Sequence, residues 1–277
     1  MPELPEVEHV VRALRRAVLG RQIVAVEIRL AKLVSPTSTS IFIRKLKNAR
    51  IESVGRRGKY ILIELDSNRV LAVHLRMTGQ FLVLTPDDPL PPHAHAIFYF
   101  DDERRLVFRD QRQFGVMKLV ARSQLSQTKG IKELAPEPFS DDFSVAYLNE
   151  TFARSRRTLK TLLLDQTRVL GLGNIYAAEA LFRARINPFK IASELSSRRV
   201  ERLHQAIRDV LRAAVSGNSA RRINLENPNG FSYGEAFGKV WQVYEREGKP
   251  CFKCGTRIRR LTHGGRSTYW CPTCQRR

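Results

Sequence analysis

The chain has 277 residues, and its 48 Lys and Arg stand against 27 Asp and Glu, a formal charge of +21. A surface of that sign draws polyanions, and the guanidinium fork of Arg suits phosphate better than a point-charge ammonium, so nucleic acid is the expected partner. With 43 % hydrophobic residues the chain can bury a substantial core, which excludes a disordered basic tail, and no apolar run approaches the roughly 18 residues that span a bilayer.

The opening MPELPEVEHV carries acid where a signal peptide carries base, so cytoplasmic residence and no membrane partner are expected. Val7, Val10, Val11, Leu14 and Val18 recur at helical spacing between Pro5, suited to a first turn, and Gly20, suited to a C-cap. From Ile23 to about Val120 the pattern changes to short β-rich runs, among them Tyr60 to Leu65, Val70 to Leu75, Ala96 to Phe100 and Leu106 to Arg109. Gly, Asp and Asn separate them, which predicts an antiparallel β-sandwich with a leading helix.

The prolines of APEPFSDD, 135–142, place a boundary after residue 134. Beyond it the chain is mostly helical to about residue 215. One helix is predicted over Arg156 to Asp165, a second from a cap at Asn174 through Ala184, and a third carrying Val200, Leu203, Ile207, Val210 and Leu211. Residues 216–238, rich in Gly, Asn and Ser, predict a long mobile loop. The fold class is therefore α+β, with a sandwich over 1–134, a helical domain over 135–247 and a small module over 248–277.

That module contains all four cysteines. Cys251-x-x-Cys254 and Cys271-x-x-Cys274, sixteen residues apart, have the spacing of a four-thiolate zinc ribbon. A closed tetrahedral site predicts one structural Zn2+ and no catalytic metal. Two strands between the pairs, joined near Gly264-Gly265, place Arg266 at a basic hairpin tip.

At the other end, Pro2 becomes a secondary amine if Met1 is removed. An α-amino group titrates near 7.7 to 8, so roughly one in seven is unprotonated at neutral pH, against about one in a few thousand for an ordinary Lys. Such an amine can attack a sugar carbon to give a cationic iminium, with Glu3 beside it as proton carrier. Taken alone, Pro-Glu is also an ordinary way to begin a helix.

PELPEVE, RRGKY at 56–60, HLRMTG at 74–79, GLGNIYAAEALF at 171–182 and the terminal ribbon occur together and in order. In this the chain resembles the formamidopyrimidine-DNA glycosylases along essentially its whole length. The resemblance implies a β-sandwich and a helix-two-turn-helix domain flanking a DNA cleft, with a zinc hairpin beside them. It implies a monomeric bacterial enzyme of the nucleoid that excises 8-oxoguanine and formamidopyrimidines from duplex DNA and then nicks the strand. Pro2 would attack C1′ and hold the sugar as a Schiff base through β- and δ-elimination, and Glu3 would protonate the opening ring. Lys59 matches the lysine assigned to elimination and phosphate contact, and Arg266 the zinc-hairpin arginine. Glu6, one turn from Glu3, would orient the N-terminus.

Lys160 and Asn174 match residues that grip the phosphate flanking the lesion; Arg156, His93 and His74 match further DNA contacts. Met77, Arg112 and Phe114 resemble the set that fills the space left by an extruded nucleotide. Gln113, Ala94 and Asn218 depart from the family pattern, and residues 217–236 would form a lesion-capping loop. An enzyme preferring oxidised pyrimidines would carry Gly in place of Leu4 and lack the void-filling set, and a non-catalytic zinc-ribbon protein would need neither Pro2 nor Glu3.

Overall fold

The computed structural model describes residues 1–216, 223–227 and 241–276, which fall into two compact units. The first holds Met1–Lys132 together with 223–227, and the second holds 133–216 and 241–276.

The first unit begins with α1 (Leu4–Val18), whose Val7, Val10, Val11, Leu14 and Val18 are all buried on one face. Among the described residues eight strands follow: β1 (Ile23–Ile28), β2 (Ile51–Arg57), β3 (Tyr60–Leu65), β4 (Arg69–His74), β5 (Gln80–Leu84), β6 (Ala94–Phe100), β7 (Arg105–Arg109) and β8 (Val116–Ala121). They form two antiparallel sheets of four, ordered β1-β6-β7-β5 and β2-β3-β4-β8. The period-two alternation of side chains explains the sandwich. Ile61, Ile63, Leu71, Val73 and Met117 of one sheet share a core with Phe81, Val83, Phe98, Leu106 and Phe108 of the other, and α1 packs into the same cluster. Their neighbours Leu82, Leu84, Ile97 and Val107 form a separate cluster with Leu90 and Tyr99. Each fully buried aliphatic or Phe side chain contributes about 1.5 to 3 kcal/mol.

The region read as wholly β also contains a short 3-10 turn, Ala31–Val34, and α2 (Thr39–Leu46). Its sequence, TSIFIRKL, is β-branched and aromatic enough to pass for a strand. Ser38 decides the matter locally, because its hydroxyl accepts from the Ile41 N-H at 3.4 Å and caps the helix, while Phe42 and Leu46 pack into the sandwich core.

The second unit contains α3 (Val145–Ala153), α4 (Leu159–Leu163), α5 (Asn174–Arg183) and α6 (Ser197–Ser216), followed by the hairpin β9 (Arg259–His263) and β10 (Arg266–Trp270). The helix predicted over 156–165 contracts to the five residues of α4, because Thr158 makes an isolated β-bridge with Ile191. Asn174 is the first residue of α5 and not its cap, which is Gly173. Ala178 and Phe182 of α5 pack against Val243, Ile258 and the cysteine module. Among the described residues no helix is long and apolar enough to cross a membrane.

Asn218 and most of the segment read as a mobile, lesion-capping loop lie outside the described residues, but 223–227 corrects part of that reading. Ile223 and Leu225 are 5 % and 4 % exposed within the sandwich core, and the Val83 N-H donates to the Leu225 carbonyl at 2.7 Å. Leu225→Ala is expected to destabilise the first unit by about 2 to 4 kcal/mol, read as a lowered urea midpoint, whereas a residue in an unpacked loop would change stability by less than about 0.5 kcal/mol.

Candidate active site

The site in the first unit is built on the start of α1. Glu3 is the N-cap: its side chain accepts the Glu6 N-H, and Glu6 Oε2 accepts the Glu3 N-H at 2.7 Å. This reciprocal capping box holds two carboxylates, 3 % and 4 % exposed, beside Pro2, which is itself buried. Both acids also sit where the positive end of the helix favours negative charge. Partial burial depresses the Met1 amino group below its ordinary pKa; Glu3 and Glu6 oppose that shift, and Lys59 and Arg112 reinforce it. An amine at this end of the chain thus lies in the field of the two acids and two of the bases singled out in the sequence.

Lys59 is 4 % exposed at the two-residue Gly58-Lys59 turn between β2 and β3, where Arg57 pairs with Tyr60. The Tyr60 ring stands edge-on to His74 at 4.8 Å. Burial, with Arg76 and then Lys59 adding to it, pulls His74 down to about 3, so its ring is neutral at pH 7. Its Nδ1 faces the Arg76 N-H at 3.0 Å as acceptor, which leaves the proton on Nε2. His74 can therefore offer a phosphate one hydrogen bond and no charge.

Two adjacent loops carry the void-filling candidates. Met77 and Phe114 are exposed, 40 % and 50 %, in a unit whose other large apolar side chains are mostly buried, and Arg112 lies over the Phe114 ring at 5.0 Å. Arg76 and Gln113, beside them, hold φ of 54° and 55°, a left-handed conformation that costs a non-Gly residue roughly 1 to 2 kcal/mol. Gln113, one of the departures from the family pattern, thus has a backbone role: its N-H donates to the Asp110 carbonyl at 3.1 Å. His93 is exposed on the neighbouring strand end, and its carbonyl accepts the Asp110 N-H at 3.1 Å. Asp110, 1 % exposed and hydrogen-bonded to both loops, was not singled out from the sequence, where a lone acid in FRDQRQFG carries no signal.

The second unit gathers the remaining candidates around the start of α5. Lys160 is 1 % exposed and its ammonium donates to the Asn174 carbonyl at 2.9 Å. Asn174 Nδ2 donates to the Ser267 carbonyl of β10 at 2.9 Å, while its Oδ1 is buried without a partner. The N-terminus of α5, Lys160 and the turn end of the hairpin thereby share one locality, with a helix end suited to an anion. Arg156 is exposed just ahead of α4. Arg266 opens β10 opposite His263, next to a turn in which Gly264 and Gly265 have φ of 56° and 72°, the two-residue geometry that matches strand twist. A second acid missed from the sequence is Glu179 of α5, whose buried carboxylate accepts the N-H groups of Gln242, Val243 and Tyr244 at 2.9, 2.9 and 3.0 Å. It anchors the chain that leads into the cysteine module.

There the Sγ atoms of Cys251, Cys254, Cys271 and Cys274 lie within 4.8 Å of one another, with separations of 3.9 Å for Cys251 to Cys274 and 3.5 Å from Cys254 to both Cys271 and Cys274. Four thiolates at Zn-S distances of about 2.3 Å define tetrahedral edges of about 3.8 Å, so the cluster fits one zinc ion. Hydrogen bonds from Thr256 pull Cys254 down to about 6, whereas burial and the neighbouring thiols push Cys274 up to about 12. A divalent cation removes that conflict by stabilising all four as thiolates.

Three family models match the chain: formamidopyrimidine-DNA glycosylase N-terminal domain over residues 1–117, formamidopyrimidine-DNA glycosylase H2TH domain over 134–224, and zinc finger found in FPG and IleRS over 248–277. The formamidopyrimidine-DNA glycosylase of Pelotomaculum thermopropionicum is 45 % identical, covering 100 % of this chain and 99 % of the relative. Among solved structures, the Lactococcus lactis enzyme non-covalently bound to an AP site containing DNA is 32 % identical with a TM-score of 0.89, over 99 % of this chain and 100 % of that one. MutM in complex with carbocyclic 8-oxo-G containing DNA is 34 % identical with a TM-score of 0.88, over 100 % of both chains.

Because the ribbon packs on α5 in the second unit, loss of metal should act there and spare the sandwich. Cys254→Ser is expected to lower zinc content below one per chain and weaken DNA binding, with β-sheet circular dichroism retained; unchanged metal content and affinity would remove the cysteines from this role.

Proposed function

The chain belongs to the formamidopyrimidine-DNA glycosylase family, and from that premise we propose that Pro2, freed by removal of Met1, is the nucleophile of a bifunctional glycosylase and AP lyase. The enzyme excises oxidised purines from duplex DNA and cleaves the strand. The observation that carries the assignment of residues is the capping box, which holds Glu3 and Glu6 beside the chain terminus, where burial favours the free base of the Met1 amine, the two acids oppose that shift, and Lys59 and Arg112 add to it. Zinc is structural.

The Pro2 nitrogen attacks C1′ as the bond from C1′ to the base breaks, and the proton of the attacking nitrogen passes to the departing base, which leaves neutral. Glu3 delivers a proton to the ring oxygen, the C1′-O4′ bond opens, and the sugar is held as an iminium on Pro2. That cation acidifies C2′-H; loss of this proton expels the 3′ phosphate, and a second elimination expels the 5′ phosphate. Lys59 serves these eliminations by holding phosphate charge. Lys160, Asn174, Arg156, Arg266 and His93 contact the DNA backbone, His74 does so as a neutral donor, and Met77, Arg112 and Phe114 occupy the vacated stack. A monomer acting among the DNA of a bacterial cytoplasm accords with the +21 charge.

Borohydride should trap a protein-DNA adduct with an 8-oxoguanine duplex, mapped to Pro2. An adduct on Lys59, or equal trapping by Pro2→Gly with Met1 retained, would exclude the assignment. Glu3→Gln should bind DNA but lose base excision, because it removes the proton carrier and preserves shape.

Arg112 sets the expected opposite-base preference. A guanidinium has donors only; an unpaired cytosine offers it two acceptors, whereas adenine presents an amino donor on the same edge. A well-placed pair of such bonds discriminates by about 1 to 3 kcal/mol, so single-turnover excision should be roughly five- to a hundredfold faster opposite cytosine than opposite adenine. Arg112→Ala should flatten that ratio, and equal rates in the wild-type enzyme would remove Arg112 from this role.

A further inference from the structure

The ladder between β5 and β7 ends at the pair Gln80 and Arg109. Met77 lies on the loop before one of these strands, and Arg112 and Phe114 on the loop after the other. Beyond the ladder a buried side chain, Asp110, joins the two loops. Asp110 Oδ1 accepts the Thr78 hydroxyl, and Oδ2 accepts the Gly115 N-H at 2.7 Å. Thr78 Oγ1 in turn accepts the Arg112 N-H at 3.1 Å. The Asp110 main chain is held as well, by the His93 carbonyl at 3.1 Å and by His95 Nε2, 3.0 Å from its own carbonyl.

The direction of this chain is set by chemistry. A threonine hydroxyl has one proton, and here it goes to Asp110, so the oxygen is left to receive Arg112. A carboxylate contributes acceptors alone, matching the hydroxyl on one side and the amide on the other. Packing reinforces the clasp, because both loops close on the tip of Phe108: a Cβ on Gly79 or Gly115 would stand 2.8 or 2.7 Å from Phe108 Cζ. Only glycine allows the two backbones so near that ring.

We propose that Asp110 is a positioning residue for opposite-base specificity, clasping the Met77 loop to the Arg112 and Phe114 loop through Thr78 so that wedge and reader enter the duplex in fixed mutual register. This rests on the reading of Met77, Arg112 and Phe114 as the void-filling set. Arg112 distinguishes cytosine from adenine by the direction of two hydrogen bonds, which weaken steeply as they bend. Its selectivity therefore depends on how firmly its backbone N-H is held. The base-leaving chemistry at Pro2 has no such dependence, so loosening the clasp acts on the ratio of rates more than on the faster rate.

The test compares single-turnover excision of 8-oxoguanine opposite cytosine and opposite adenine in full-length wild type, Thr78→Val, Thr78→Ser, Asp110→Asn and Arg112→Ala, with thermal melts of each. Thr78→Val keeps the shape and removes the hydroxyl. Asp110→Asn turns an amino group toward one of two donors. Each is expected to cut the cytosine-to-adenine ratio at least about fivefold, toward the Arg112→Ala value, and Thr78→Ser should restore it. Adding Thr78→Val to Arg112→Ala should lower the ratio no further. Should Asp110→Asn fail to fold, the partly exposed Thr78 decides alone. A folded Thr78→Val with the wild-type ratio, or Thr78→Ser behaving as Thr78→Val, overturns the proposal while leaving the role of Arg112 standing. An unchanged ratio in Arg112→Ala overturns both, and thereby marks which reading failed.

Discussion

A terminal amine can do chemistry at one fixed point only if the end of the chain, ordinarily its loosest part, is held as firmly as a core residue. Here the hold is the exchange of hydrogen bonds between Glu3 and Glu6, and it is effective because the helix it caps is itself immobilised. Val7, Val10, Val11, Leu14 and Val18 lock α1 into the sandwich. The same two carboxylates act electrostatically on the terminal Met1 amine, so the groups that fix the terminus also set its surroundings. In the proposed mechanism, positioning and proton transfer fall to two acids of one turn of helix.

Charge elsewhere in the molecule is distributed by depth. Three buried charges are held by named partners: Lys160 by the Asn174 carbonyl, Glu179 by three consecutive amides, Asp110 by a hydroxyl and an amide. Burial of an unpartnered charge would be prohibitive, so each of these groups ties together segments remote in sequence. Arg112, Arg156 and Arg266 stay exposed, free to exchange water and counterions for phosphate or base.

Features written in local sequence were legible there. The α1 stripe, the alternation of β3 and β4, and the cysteine spacing all repeat within a few residues, and backbone geometry answers to such periods directly. Family membership, the sandwich, the helical domain and the zinc ribbon were likewise readable, because the motifs that mark them are contiguous. What escaped depends on distant partners. In α2 the β-branched residues gave the wrong period and a serine cap overruled them. Asn174 resembles a cap by type, but the helix starts one residue earlier, with Gly173 as its cap, and the Asn174 amide donates instead to Ser267, far along the chain. Asp110 and Glu179 look like any surface acid until the backbones they bind come within 3 Å. Ile223 and Leu225, two apolar residues in a polar stretch, acquire meaning only from Val83, far earlier in the chain.

That last contact bears on how the protein is made. Synthesis runs from the N-terminus, and domains ordinarily fold as units when their last residue is available. Here the sandwich receives two of its core side chains, and a backbone partner for β5, from 223–227, after α3, α4, α5 and α6 have all been translated. A nascent chain ending at residue 134 would present β5 with the Val83 N-H lacking its Leu225 acceptor and with a gap in its core where Ile223 and Leu225 belong. The first half of the molecule to be synthesised is thus among the last to be completed, and the helical unit has its opportunity to form while the sandwich is still waiting for its final side chains.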